Sequence, residues 1–139
     1  MRSSKPILLV EDDNVDAMTV RRAMKELNVA NEIIHHLNGE DALKYLRSNN
    51  KRPCVILLDL NMPRMNGIDF LKIIKNDDEL KQIPVIVLTT SKDERDKMES
   101  FEFSVAGYII KSTDYKKFAE ALHTLNLYWT LSQLPYTDA

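Results

Sequence analysis

Polar side chains with reactive chemistry follow the apolar segments of this 139-residue chain, at the points where buried strands would end. Glu11 and Asp12 follow the first such segment, and Asp59 follows the third. Thr89 and Lys111 follow the fourth and the fifth. Carboxylates that converge on one edge of a sheet repel one another, so a cation must lie among them or some must be protonated. Their oxygen ligands suit Mg²⁺, which takes a few carboxylates and keeps several waters. The sequence therefore predicts a magnesium site.

A metal ion, a lysine and a hydroxyl around one carboxylate are the groups that phosphoryl transfer requires. Asp59 is the candidate nucleophile, because it ends the central and most apolar segment, and its product would be an acyl phosphate. Taken singly, acidic residues after strands are more often helix caps, and Asp12, Asp13 or Asn14 could cap the first helix. Four strand ends with compatible chemistry favour the reactive site.

Short apolar segments alternate with amphipathic ones, which predicts five strands and five helices. The predicted strands cover 7–10, 32–37, 54–58, 84–88 and 106–110. The predicted helices include 15–27, 42–46 (after an Asn38 cap), 68–74, 98–105 and 114–129. Nearly all the strands are apolar on both faces, which indicates a doubly wound α/β sandwich around a parallel sheet. Ligands of such sheets bind beyond the carboxyl ends of the strands, where the polar residues lie.

Composition excludes several other classes. We expect one domain over 1–139, with 44% hydrophobic residues and a net charge of −2, and no direct nucleic-acid partner. Gly39, Gly67 and Gly107 are the three glycines, and they cannot form a phosphate-cradling loop. Cys54 is the single cysteine, which fits a reducing compartment. Because no apolar run approaches about 18 residues, we expect a cytoplasmic protein without a membrane span.

Four segments of the chain resemble the receiver domains of two-component response regulators. They are 7–12, 59–67, 87–91 and 107–111. The segment 59–67 is the most specific, since its Asp, Met-Pro and Asn-Gly all fall at the family spacing. The resemblance covers about 5–125 and implies a flavodoxin-like (βα)5 fold with the strand order 2-1-3-4-5.

The resemblance also implies roles for the residues at the strand ends. Asp59 would accept a phosphoryl group from the phosphohistidine of a sensor histidine kinase, and Lys111 would pair with the phosphoryl oxygens. Asp12 and Asp59 would bind Mg²⁺ directly. Glu11 would act mainly through water, and the backbone carbonyl of Asn61 would be a further ligand. No separate enzymatic activity is expected beyond this phosphotransfer and autodephosphorylation.

The implied switch consists of Thr89 and Tyr108. The Thr89 hydroxyl would turn toward the phosphoryl group and Tyr108 would rotate inward behind it, which reshapes the face of the fourth helix, fifth strand and fifth helix. Ser112 follows Lys111 where the family usually has proline, so we expect a less rigid loop. The Lys-Ser step and the long last helix are similar to stand-alone regulators that partner bacterial phytochromes. The resemblance also implies signalling through contact with a downstream protein.

The last helix and tail, about 126–139, carry more apolar residues than one packed face requires. One stripe consists of Phe118, Leu122, Leu125 and Trp129. A second, roughly opposite, consists of Leu127, Leu131 and Leu134, with Tyr128 beside it. The second stripe either folds back on its own domain or forms a homodimer seam, and we expect the homodimer.

Two other functions compete with the receiver hypothesis. An aspartyl-phosphate phosphatase of the haloacid dehalogenase type also uses an aspartate at a strand end. That family has a second aspartate two residues later, where this chain has Asn61, and there is no room here for its cap. A flavodoxin-like cofactor binder would need a phosphate loop after the first strand, where the acidic residues 11–13 would repel a phosphate.

His35 and His36 are an adjacent pair in the predicted second strand. Adjacent strand residues point to opposite faces of a sheet, so the pair is a poor set of ligands for one metal ion. We expect one surface histidine and one packed histidine.

Overall fold

The computed structural model describes residues 5–48, 52–60, 62, 65–90, 103–111 and 114–131, with side chains as far as 126. Its strands are β1 (Ile7–Val10), β2 (Ile33–His36), β3 (Val55–Asp59), β4 (Val85–Thr89) and β5 (Gly107–Ile110). The described helices are α1 (Asn14–Glu26), α2 (Gly39–Arg47), α3 (Gly67–Lys75) and α4 (Tyr115–Leu131). Within these residues, no helix has the length and apolar character needed to cross a membrane.

The five strands form one parallel sheet in the order β2-β1-β3-β4-β5, as predicted. Val10 at the end of β1 pairs with Leu58 in β3, and Asp59 pairs with Leu88 in β4. Thr89 pairs with Ile110 at the end of β5. This register brings the ends of β1, β3, β4 and β5 to one edge of the sheet, where the reactive side chains follow.

Apolar side chains cover both faces of the sheet. Leu8 and Val10 of β1 pack on the face that α2 and α3 cover, whereas Ile7 and Leu9 pack on the face that α1 and α4 cover. β1, β3 and β4 are buried along their whole length, which agrees with their continuous apolar sequence. The edge strands β2 and β5 are mostly half-buried, and their sequences are accordingly more mixed.

The helix caps separate structural carboxylates from those at the site. Asp13 caps α1, because its carboxylate accepts hydrogen bonds from the backbone N–H of Val15 at 2.8 Å and of Asp16 at 3.2 Å. Asn38 caps α2 as predicted, accepting from Asp41 at 2.9 Å. The sequence left Asp12, Asp13 and Asn14 open as the cap of the first helix, and the structure assigns the cap to Asp13. The Asp12 side chain lies with the other carboxylates at the edge of the sheet.

The predicted fourth helix, 98–105, falls largely on residues 91–102, which lie outside the described part of the chain. Its last predicted residue, Val105, is not helical: Phe103, Ser104 and Val105 lead into β5 without regular structure. The Val105 N–H donates to the Phe103 carbonyl at 3.0 Å, which is a local turn rather than a helical hydrogen bond. The helix prediction is therefore wrong for 103–105.

The expectation of one surface histidine in β2 is also wrong, since both histidines are half-buried. His35 donates a hydrogen bond from Nε2 to the Glu11 carbonyl oxygen at 2.7 Å, which draws its ring against the end of β1. The His36 ring packs against Tyr45 with 5.5 Å between centroids. Its Nε2 is buried and has no hydrogen-bond partner among the described residues.

We expect His36 to make the protein less stable as the pH falls. Burial is the main cause that lowers the pKa of His36 below the ordinary histidine value of 6.5, so the folded protein binds fewer protons there than the unfolded chain. The stability that neutral His36 contributes is fully present above that value and declines below it, down to the lowered pKa. Urea unfolding between about pH 8 and about pH 5 should show a decline that His36→Gln reduces. An equal decline in both proteins would contradict the prediction.

Candidate functional site

Three carboxylates meet at the carboxyl ends of β1 and β3. Glu11 and Asp12 directly follow β1, and Asp59 is the last residue of β3, the neighbouring strand. Each offers one oxygen, and these oxygens all lie within 4.8 Å of one another. Glu11 and Asp59 are buried, with exposed fractions of 0% and 3%, whereas Asp12 is exposed. The convergence that the sequence predicted is present, and its cause is the parallel register of the two strands.

The cluster does not readily hold three negative charges. Burial first, and the neighbouring Asp59 after it, raise the pKa of Glu11 to about 8, although Lys111 opposes the shift. Burial and Asp59 raise the pKa of Asp12 as well. Oε2 of Glu11 is buried and accepts no hydrogen bond from the described residues. A close set of carboxylate oxygens with an unpartnered buried acceptor fits a divalent cation.

Lys111 supplies a fixed positive charge beside these carboxylates. Its backbone N–H donates to the Thr89 carbonyl at 2.7 Å, and its side chain is only 14% exposed. The ammonium lies 2.5 Å from Glu11 Oε1 and 3.4 Å from Asp59 Oδ1. Burial acts to lower the pKa of Lys111, but the hydrogen bond to Glu11 and the negative charges of Glu11 and Asp59 together outweigh burial, so the pKa is raised. Lys111 therefore stays protonated at neutral pH.

Asp16 is a member of the site that the sequence analysis missed. It lies in the first turn of α1, and its carboxylate is 3.0 Å from the Lys111 ammonium. The signal was its spacing, four residues after Asp12 and three after the cap residue Asp13, in the first turn of α1. That spacing places an acid near the end of β1 but does not say which cation it meets, because Lys111 is 95 residues away in sequence.

The two residues of the implied switch lie on neighbouring strands. Thr89, the last residue of β4, is fully buried, whereas Thr90, which follows the same strand, is exposed. Tyr108 in β5 is half-buried against the core that α2 and α3 cover, and its strand partner is Val87. Asn61 lies outside the described residues, as do Ser112 and the rest of its loop up to 113.

The apolar face of α4 is confirmed in part. Phe118 and Leu122 are buried and Leu125 is half-buried, all against the core that α1 covers. The side chains of the second stripe, Leu127, Tyr128, Leu131 and Leu134, and that of Trp129 lie outside the described part. The homodimer seam therefore stays a prediction.

A doubly wound α/β sheet with this strand order, an acidic cluster at its switch point and a lysine beside a buried aspartate together define a flavodoxin-like domain with a candidate metal and phosphoryl-transfer site. The family model of the response regulator receiver domain matches residues 7–123, and the chain belongs to this family. Its function is phosphorylation-dependent signalling. Receiver domains are mostly non-enzymatic, are phosphorylated by histidine kinases and bind a divalent metal.

Individual relatives are similar over nearly the whole chain. Response regulator Rcp1 of Synechocystis sp. is 38% identical over 130 residues, which cover 90% of this chain and 88% of Rcp1. Among solved structures, the phosphorylated cyanobacterial phytochrome response regulator RcpA has a TM-score of 0.85 and 36% identity, covering 95% of this chain and 99% of RcpA. The Mn²⁺-bound form of Rcp1 has a TM-score of 0.84 and 37% identity, with coverages of 95% and 99%.

Proposed function

We propose that Asp59 is the phosphoacceptor of this receiver, and that its phosphorylation changes the surface through which the protein contacts a downstream partner. One observation carries the assignment: Asp59 is a buried carboxylate at the end of the central strand, 3.4 Å from the Lys111 ammonium and within the acidic cluster. A carboxylate in that place has both a nucleophilic oxygen and positive charge close to where phosphoryl oxygens would lie. The family match favours this reading over a phosphatase of the haloacid dehalogenase type.

The transfer step follows from the chemistry of an acyl phosphate. A carboxylate oxygen of Asp59 attacks the phosphorus of a phosphohistidine, and the phosphorus–oxygen bond forms as the phosphorus–nitrogen bond breaks. The released histidine nitrogen takes up a proton from solvent. Lys111 donates to the phosphoryl oxygens, where negative charge increases during the transfer. Thr89, at the end of the adjacent strand β4, donates its hydroxyl to the same group once Asp59 is phosphorylated.

Mg²⁺ is the proposed resident metal. Asp12 and Asp59 would hold it directly, Glu11 would hold it through water, and the Asn61 carbonyl remains part of the proposal. Bound there, the ion would neutralise negative charge on the phosphoryl oxygens. The raised pKa of Glu11, to about 8 because of burial, and its unpartnered Oε2 support a site in which the carboxylates lack part of their counter-charge.

The partners and the output surface belong to the same proposal. Relatives named as phytochrome response regulators support a sensor histidine kinase of the bacterial phytochrome type, working in the cytoplasm. Tyr108, half-buried in β5, would turn inward when Thr89 moves, and this changes the face formed by β5 and its flanking helices. The proposal also includes a homodimer through Leu127, Tyr128, Leu131 and Leu134. It further includes a single receiver domain over 1–139, to which this extended helix belongs.

Incubation with acetyl phosphate and Mg²⁺ should add the mass of one phosphoryl group to the wild-type protein. Asp59→Asn should add none, because an amide cannot form the acyl phosphate. Intact-protein mass spectrometry measures both. Asp69→Asn is the matched control: Asp69 is an exposed acid in the first turn of α3, and its loss should leave the uptake unchanged. A wild-type protein that takes up no phosphoryl group, or an Asp59→Asn protein that takes up as much, would refute the assignment.

A further inference from the structure

We propose that Asp16 is a positioning residue, whose carboxylate holds the Lys111 ammonium beside Asp59. The inference rests on the proposed function, since the position of Lys111 matters for phosphorylation only if Asp59 is the phosphoacceptor. It assigns a role to a side chain outside the metal-binding set: the close group of acidic oxygens includes Glu11, Asp12 and Asp59 but not Asp16.

The Lys111 ammonium contacts three carboxylates. An ammonium group has three N–H donors, and three carboxylates on three different parts of the fold lie within 4 Å of it. Glu11, after β1, is at 2.5 Å; Asp16, in α1, is at 3.0 Å; Asp59, at the end of β3, is at 3.4 Å. A lysine side chain is long and flexible, so one contact does not fix its end, whereas contacts from several directions do.

Asp16 is itself held firmly enough to act as an anchor. The Asp13 cap accepts a hydrogen bond from the Asp16 N–H at 3.2 Å, which fixes the Asp16 backbone in the first turn of α1. The Asp16 side chain is 42% exposed, so water reaches its carboxylate, whereas Glu11 is fully buried. Asp16 therefore contacts Lys111 from outside the close group of Glu11, Asp12 and Asp59.

The surroundings of Lys111 leave it room to move without this anchor. A small pocket of about 60 Å³ is lined by Asp16 and Lys111 together with Leu88, Phe118 and others. A hydrogen bond to the Thr89 carbonyl holds the Lys111 backbone. Lys111 follows β5, which is an edge strand, and the Lys111 side chain reaches across to Asp16 in α1. Without the Asp16 carboxylate the ammonium keeps only its contacts with Glu11 and Asp59, so its position beside Asp59 is less restrained.

The test is a double-mutant cycle on the rate of phosphoryl uptake from acetyl phosphate with Mg²⁺. Asp16→Ala should slow the uptake about tenfold, the equivalent of one lost interaction in the transfer step. In a Lys111→Met protein, adding Asp16→Ala should change the rate no further, because Asp16 acts through Lys111. Asp16→Asn, which keeps one acceptor oxygen, should lie between wild type and Asp16→Ala. Asp69→Ala removes the same charge from the first turn of α3 and should have no effect.

Several results would overturn the inference. An unchanged rate in Asp16→Ala would do so while leaving the proposed function intact, provided that uptake still depends on Asp59. An equal slowing by Asp16→Ala with and without Lys111 would show that Asp16 acts by some other route. Nitrogen NMR of the Lys111 ammonium gives a readout that needs no phosphorylation: its signal should shift and broaden in Asp16→Ala, and an unaltered signal would refute the anchor. Urea unfolding of each variant shows whether it is folded.

Discussion

Replacement of Lys111 with methionine is expected to destabilise the metal-free protein by about 3 kcal/mol. Methionine keeps the apolar stem and removes only the cation that Glu11, Asp16 and Asp59 share. Two of these carboxylates are buried, so the variant loses the positive charge that offsets negative charge in the interior. Urea unfolding without divalent metal measures the loss. A loss below about 1 kcal/mol, the value for an exposed ion pair, would contradict the assignment of Lys111 as the shared cation.

Lys81→Met is the matched control for this prediction. Lys81 also contacts a carboxylate, that of Asp78 at 3.1 Å, but the two side chains are 49% and 94% exposed. Water screens such a pair, and its loss should change stability by less than about 1 kcal/mol. The variants should also differ in metal dependence. Mg²⁺ should stabilise Lys111→Met more than it stabilises Lys81→Met, because the ion restores positive charge to the carboxylates that Lys111 has left.

The strands were predictable from the sequence because burial on both faces leaves a continuous apolar pattern. The predicted segment 7–10 coincides with β1, and the predicted 54–58 differs from β3 by a single residue at each end. Since parallel strands end at one edge, the same pattern located Glu11 and Asp59 together. The boundary of β2 was less accurate: the predicted 32–37 is longer than Ile33–His36, because an edge strand is only partly buried and its pattern is mixed.

The parts of the site that could not be predicted depend on contacts between distant elements. The backbone direction at the start of α1 decides which of Asp12, Asp13 and Asn14 caps the helix. Three adjacent polar residues do not reveal that direction. Asp16 meets Lys111 only because α1 packs against the sheet near the end of β5. The sequence indicated a deficit of positive charge among the carboxylates, but not that Lys111 would lie closest to Glu11.

The segment that follows Asp59 ends in glycine because a side chain at position 67 would have no space. A Cβ at this position would lie 2.6 Å from the Asp59 carbonyl oxygen and 2.6 Å from the Leu60 Cα. Both are backbone atoms, which cannot turn aside as a flexible side chain can. The Gly67 N–H also donates to the Leu60 carbonyl at 3.0 Å, so the start of α3 is held against the end of β3. Its backbone is not in the left-handed region, so the requirement is space rather than conformation.

Gly67→Ala is therefore expected to destabilise the protein by about 3 kcal/mol, at the upper end of overpacking effects. Relief of the contact must shift Asp59 or α3, and a displacement approaching 1 Å at the phosphoacceptor should slow phosphoryl uptake up to about 100-fold. Gly107→Ala is the control, because its Cβ would make ordinary contacts with Leu125 at 3.5 Å and Ile86 at 4.0 Å. Urea unfolding and the time course of mass gain measure both effects. Equal behaviour of the two variants would show that close packing of α3 on β3 does not position Asp59.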